Sequence, residues 1–140
     1  MAHIQELFHV IVDYIISQNM ITMKRNIIIE NIIRYINNNI EKMISIKDVS
    51  EYVYKSTSTI SHLFSSFLKK SFKQYVIEQK LQKAEEYFLK EPGITIIEVA
   101  HKLGYDDPYY FSRLFKKYKG LSPTAFLRKM YMNYSSEKEE

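Results

Sequence analysis

Four residues in "PYYFSRLFKKYK" (108–119) have types and spacing suited to recognition chemistry. Tyr109, Ser112, Arg113 and Lys116 stand at i, i+3, i+4 and i+7, which places them on one face of a helix. Arginine donates two hydrogen bonds to guanine O6 and N7, a serine hydroxyl pairs with several bases, and an aromatic ring touches a thymine methyl. Lys116, Lys117 and Lys119 suit phosphate oxygens. Phe111, Leu114, Phe115 and Tyr118 repeat the same spacing on the opposite face and read as core. The chemistry this predicts is the reading of a polyanion, with no bond made or broken.

An earlier segment repeats the pattern. "ISHLFSSFLKKS" (60–71) aligns with "FSRLFKKYKGLS" (111–122) at an offset of 51. Ile60, Leu63, Phe64 and Phe67 are expected to face inward, and Ser58, Ser61, His62 and Ser65 outward. This second reading face is small and nearly uncharged. Lys55, Lys69, Lys70 and Lys73 are its expected phosphate grips. Upstream, Ile46, Asp48, Val49 and Val53 match Ile96, Glu98, Val99 and Leu103 at an offset of 50.

Each unit opens with a start signal. Ser45 with Asp48, and Thr95 with Glu98, are a hydroxyl followed three residues later by an acid. The hydroxyl accepts an orphan backbone N–H, and the acid bonds back and favours the positive helix end. The spacing predicts short helices over about 46–54 and 96–103, then second helices over 57–69 and 108–119. Asp107 is the expected N-cap of the last of these, with Pro108 at its first position. A helix, a short turn and a helix, occurring twice, is a double helix-turn-helix.

A connecting helix is expected over about 73–90. Tyr75, Gln79, Gln82, Glu86 and Lys90 mark its wet side; Val76, Leu81, Ala84 and Phe88 mark its buried side. Pro92-Gly93 ends it, and a last helix runs from Ser122-Pro123 to about Tyr131. No glycine or proline precedes Pro92. There, Ile4, Leu7, Phe8, Ile11 and Ile15 form one helical stripe over about 3–19, and Ile29, Ile32, Ile33, Ile36 and Ile40 form another. The predicted fold is all-α: two helix-turn-helix units joined by a long central helix, plus an extra N-terminal helix. The expected divisions are 1–25, an N-terminal helix that ends an upstream domain or pairs chains; 26–134, the DNA-binding domain; and 135–140, a polar disordered tail.

The stretch "IIEVAHKLGYDDPYYFSRLFKKYKGLSPTAF" closely resembles the C-terminal signature of AraC/XylS-type transcription regulators. The resemblance extends back through the first unit, over about 30–131. It implies seven helices, sequence-specific DNA binding and transcription activation through RNA polymerase. By position it implies base-reading roles for Ser58, Ser61 and His62, and for Tyr109, Ser112 and Arg113. Two positions depart from the family pattern. Gly104 and Gly120 in the second unit have Tyr54 and Lys69 as their counterparts in the first. A left-handed turn residue costs little for glycine and more for tyrosine or lysine. The first unit must therefore turn differently or carry strain.

Composition narrows the classes. The chain of 140 residues is +4 overall. Residues 41–134 carry sixteen bases against ten acids, net +6, whereas residues 1–40 are neutral. A polyanion partner fits that middle segment. There is no cysteine, which excludes disulfide scaffolds and cysteine zinc sites. The histidines have no metal-ligand spacing, and no catalytic arrangement stands out, so no cofactor, metal or enzyme activity is expected. The apolar run from Leu7 to Ile16 is broken by His9 and Asp13, and no membrane span is expected. The location expected is cytoplasmic. The expected partners are double-stranded DNA and RNA polymerase, with a homodimer through the N-terminal helix as a further expectation. Two bland readings stand beside these: a helical protein-interaction module with weak or degenerate DNA binding, and Arg113 as a surface ion-pair partner of Asp106 or Glu98.

Overall fold

The computed structural model describes residues 2–137, and these form seven helices. They are α1 (Ala2–Asn38), α2 (Ile46–Val53), α3 (Thr57–Leu63, widening into a π turn over Phe64–Leu68), α4 (Phe72–Lys90), α5 (Ile96–Lys102), α6 (Pro108–Lys119) and α7 (Pro123–Ser136).

The starts are capped as the sequence predicts. Ser45 Oγ accepts from Asp48 N at 3.1 Å, and Asp48 Oδ2 accepts from Ser45 N at 2.9 Å. Thr95 and Glu98 repeat the arrangement at 3.1 and 2.7 Å. Both carboxyls are held below their usual range, first by the backbone N–H of the capping residue. Ser56, Ser71 and Ser122 cap α3, α4 and α7 with single bonds to the N3 amide.

Three elements differ from expectation. The two N-terminal stripes lie on one continuous helix, α1, except for Ile40 in the turn just past its end. Its 37 residues contain no glycine or proline, and the Ser17 and Thr22 hydroxyls bond to carbonyls one turn back instead of breaking the ladder. The second helix of the first unit ends at Leu68, because Lys69 adopts the left-handed conformation (φ 56, ψ 30). Its wider final turn leaves Phe67 37% exposed, outside the expected core stripe. At the other end α7 continues through Ser135 and Ser136, whose hydroxyls bond to the carbonyls of Tyr131 and Met132 at 3.0 and 2.8 Å. The expected polar tail therefore begins within a helix; residues 138–140 lie outside the described residues.

Side chains gather into two separate cores. The first joins Ile29, Ile32 and Ile36 of α1 to Val49, Ile60, Leu63 and Phe64, and takes Phe72 and Val76 from α4. The second takes Ile77, Leu81, Ala84 and Phe88 from α4 and joins them to Val99, Leu103, Phe111 and Phe115. Edge-to-face rings build both: Phe64 on Phe72 at 5.3 Å, and Phe88 on Phe115 at 6.2 Å. Tyr75, expected on the wet side of α4, is half-buried against Phe64.

The two units turn alike despite their different residues. Tyr54 (φ 55) and Lys69 (φ 56) occupy the same left-handed region as Gly104 (φ 80) and Gly120 (φ 84). Of the two outcomes the sequence allows, the first unit takes strain.

Candidate nucleic-acid interface

Helix α6 is fixed at both ends. Asp107 accepts from the Tyr109 amide at 2.9 Å, Pro108 occupies the first turn, and Gly120 closes the helix. Phe111, Leu114 and Phe115 are buried, so the opposite face must point outward. On it Tyr109 is 80% exposed, Arg113 and Lys116 are exposed, and Ser112 is half-buried. The Arg113 guanidinium lies over the Tyr110 ring, 5.8 Å from its centre. That stacking restrains an otherwise floppy side chain.

Helix α3 exposes Ser58, Ser61 and His62 while burying Ile60 and Leu63. His62 Nε2 lies 3.4 Å from Ser66 Oγ, one turn along the same helix. The predicted outward face is thus present in each unit, charged in the second and neutral in the first.

The seven predicted phosphate-facing lysines fall into two groups. Lys55, Lys69, Lys73, Lys116 and Lys117 are exposed. Lys70 and Lys119 are half-buried and paired with acids: Lys70 with Glu78 at 2.5 Å, and Lys119 with Glu85 at 3.1 Å. Before gripping phosphate these two must leave a carboxylate.

Two hollows gather cations from separate elements. In one of about 480 Å³, Lys73 at the start of α4 meets Arg113 and Lys117 of α6 beside Ser71. In the other, of about 490 Å³, Arg25 of α1 joins Lys55, Ser58 and His62. Sequence reasoning missed Arg25, because it lies before the matched module. Its signal was its place seven residues before Ile32 on the continuous α1, which carries it to the flank of the first unit.

Lys80 was also missed. It is 2% exposed and is the buried charged residue among the described ones. Its Nζ donates to the carbonyls of Ile40 and Lys42 at 2.6 Å each and of Leu103 at 2.5 Å. Burial pushes its ammonium down to about 8, so the group stays mostly charged at neutral pH. Helical spacing placed it beside Leu81 and Ile77, and nothing local announced distant carbonyl partners.

Among the described residues, no helix is long and apolar enough to cross a membrane. A family model described as a helix-turn-helix domain matches residues 49–129. The chain is 30% identical over 126 residues to YijO of Escherichia coli K12, an uncharacterized helix-turn-helix-type transcriptional regulator, covering 90% of this chain and 44% of that one. It is 37% identical over 81 residues to the arabinose operon regulatory protein of the same organism, covering 58% of this chain and 27% of that one. The chain therefore spans less than half the length of either relative. The DNA-binding domain of the global transcriptional factor AdpA, solved with a target DNA, superposes with a TM-score of 0.69 at 18% identity, over 74% of this chain and 93% of that one; this likeness is one of fold. With the family model covering more than half the chain and the two capped units in place, the chain belongs to the AraC/XylS-type family of helix-turn-helix transcription regulators.

Proposed function

We propose that this chain binds double-stranded DNA sequence-specifically and regulates transcription, as an activator working through RNA polymerase. The observation that carries the reading is a pair of exposed reading faces, on α3 and α6, mounted on one shared helix. Ser58, Ser61 and His62 read one block of bases; Tyr109, Ser112 and Arg113 read the other. Lys55, Lys69, Lys73, Lys116 and Lys117 hold phosphates, with Lys70 and Lys119 joining on release from their acids. Two helices of this kind enter successive major grooves about 34 Å apart along one side of a duplex. A segment with sixteen bases against ten acids favours the approach. Relatives named as operon regulators, and a similar fold solved with target DNA, support this reading.

The module proper is 26–134. Residues 1–25 pair two chains: Leu7, Phe8, Ile11 and Ile15 of α1 are all exposed, and an apolar stripe of this size needs a cover. The same stripe favours the second reading, a helical module that binds protein with weak DNA contact.

Selection from a random duplex pool at near-physiological salt tests the reading. Two enriched blocks about one helical turn apart support it. No enrichment, with binding insensitive to salt, supports the protein-binding module instead.

A further inference from the structure

The two cores meet within one step of α4, since Val76 belongs to the first and Ile77 to the second. The seam between the units is not filled by packing. A cavity of about 470 Å³ separates Met43, Ile44 and Ser61 on one side from Tyr105, Tyr110 and Leu114 on the other. Each unit packs on its own stretch of α4, and this cleft lies between them.

Lys80 reaches across this seam. Ile40 and Lys42 lie just before Ser45, the residue that caps α2. Leu103 closes α5, immediately before the turn into α6. An ammonium has three N–H donors, and here three main-chain carbonyls, from both units, take them all. A buried ammonium that loses one of these bonds is left with a bare donor, so the three segments are held at fixed separations. Gly104 packs into the same junction: a Cβ there would lie 3.0 Å from the Lys42 carbonyl carbon. The Tyr87 hydroxyl, donating to the Glu41 carboxylate, braces it further along α4.

We infer that Lys80 is a positioning residue for DNA recognition: it sets the separation and angle between α3 and α6, and with them the spacing of the two base blocks. The inference rests on the reading that both helices contact bases. Lys80→Met keeps an unbranched apolar stem, one atom shorter than lysine, and removes all three donors.

Two measurements test it. The first needs no DNA. The chain has no cysteine, so spin labels at Glu51→Cys and Ile97→Cys, both exposed and one in each unit, report the distance between units. One narrow distance is expected with Lys80, and a distribution at least twice as broad with Lys80→Met, with helix content retained by circular dichroism. The second is affinity for the selected two-block duplex and for versions with the blocks moved by one and two base pairs. The unaltered chain should favour the selected spacing about tenfold, and Lys80→Met about twofold or less. An unbroadened distance, or an affinity lowered equally at every spacing, would overturn the inference. If the distance broadens but the unaltered chain has no spacing preference, the two-helix reading fails and takes the spacing role with it. Should Lys80→Met not fold, Gly104→Ala probes the same junction by pushing on Lys42, and must shift the label distance.

Discussion

Tyr54 and Gly104 hold the same left-handed backbone at equivalent turns, with φ of 55 and 80. Their surroundings differ. Tyr54 is 92% exposed, so its side chain meets solvent. Gly104 backs onto the main chain of residues 41–43, where a methyl group would come within 3.0 Å of the Lys42 carbonyl carbon and force that backbone to give. In the second unit glycine answers two demands, conformation and clearance. In the first only conformation is at stake, and that cost is small enough to carry.

The two turns should therefore respond in opposite directions. Tyr54→Gly is expected to raise stability by about 1 kcal/mol, by relieving the left-handed strain less the added chain entropy. Gly104→Ala is expected to lower it by about 2 kcal/mol or more, since strain and a backbone clash combine. Midpoints of urea unfolding check both.

The capping acids make a pH-dependent contribution. Asp48 and Glu98 are held below the ordinary carboxylate range by the backbone N–H of Ser45 and Thr95. A depressed folded-state value means stability that is present above that range and lost as pH falls through the lowered values. Asp48→Asn and Glu98→Gln should each lower the melting temperature at pH 7, and the difference from the unaltered chain should shrink steadily below about pH 4. A difference that persists unchanged at pH 2 would remove the charge from the explanation.

Arginine and lysine on α6 should separate base reading from phosphate grip. Arg113→Ala is expected to cost about 1–3 kcal/mol on the selected site and to relax one base position. Lys117→Ala should weaken all sequences alike and reduce the salt slope by about 1. Titrations on selected and random duplexes at several salt concentrations give both quantities. An equal loss on both duplexes for Arg113→Ala would remove it from base readout.

Glu85 restrains Lys119 at 3.1 Å. Glu85→Gln should release that lysine and raise affinity a few-fold on every duplex, while stability changes by less than about 1 kcal/mol, as for a partly exposed ion pair. Unchanged affinity would mean Lys119 never reaches a phosphate.

A charge on α1 should break the proposed chain pairing. Ile11→Glu is expected to shift the chain from dimer to monomer in sedimentation at micromolar concentration, without changing the helix-turn-helix cores, because Ile11 belongs to neither. A parent chain that is monomeric throughout would end the homodimer proposal.

Most of the local order was legible in the sequence. The cap pairs Ser45–Asp48 and Thr95–Glu98, the Asp107-Pro108 start and the Phe111, Leu114 and Phe115 stripe are written within a few residues, and the structure places them accordingly. The outward residues follow from the inward ones. What escaped depends on distance along the chain. The carbonyl partners of Lys80 lie 40, 38 and 23 residues away. The pairing of Lys119 with Glu85 spans two helices. The end of α3 at Leu68 turns on one backbone conformation at Lys69, a residue type that ordinarily continues a helix. Periodicity also could not join α1, because polar residues at 24–26 interrupt the stripe while the backbone continues.

The division of α4 between two cores has a consequence for how such a protein changes over generations. Remodelling the outward residues of one unit leaves the apolar interior of the other untouched, because the two clusters have no apolar side chain in common and Lys80 joins them only through main-chain carbonyls. If the two faces read separate base blocks as proposed, a lineage could exchange one half of its target while keeping the other, and new target sites would be reached by halves.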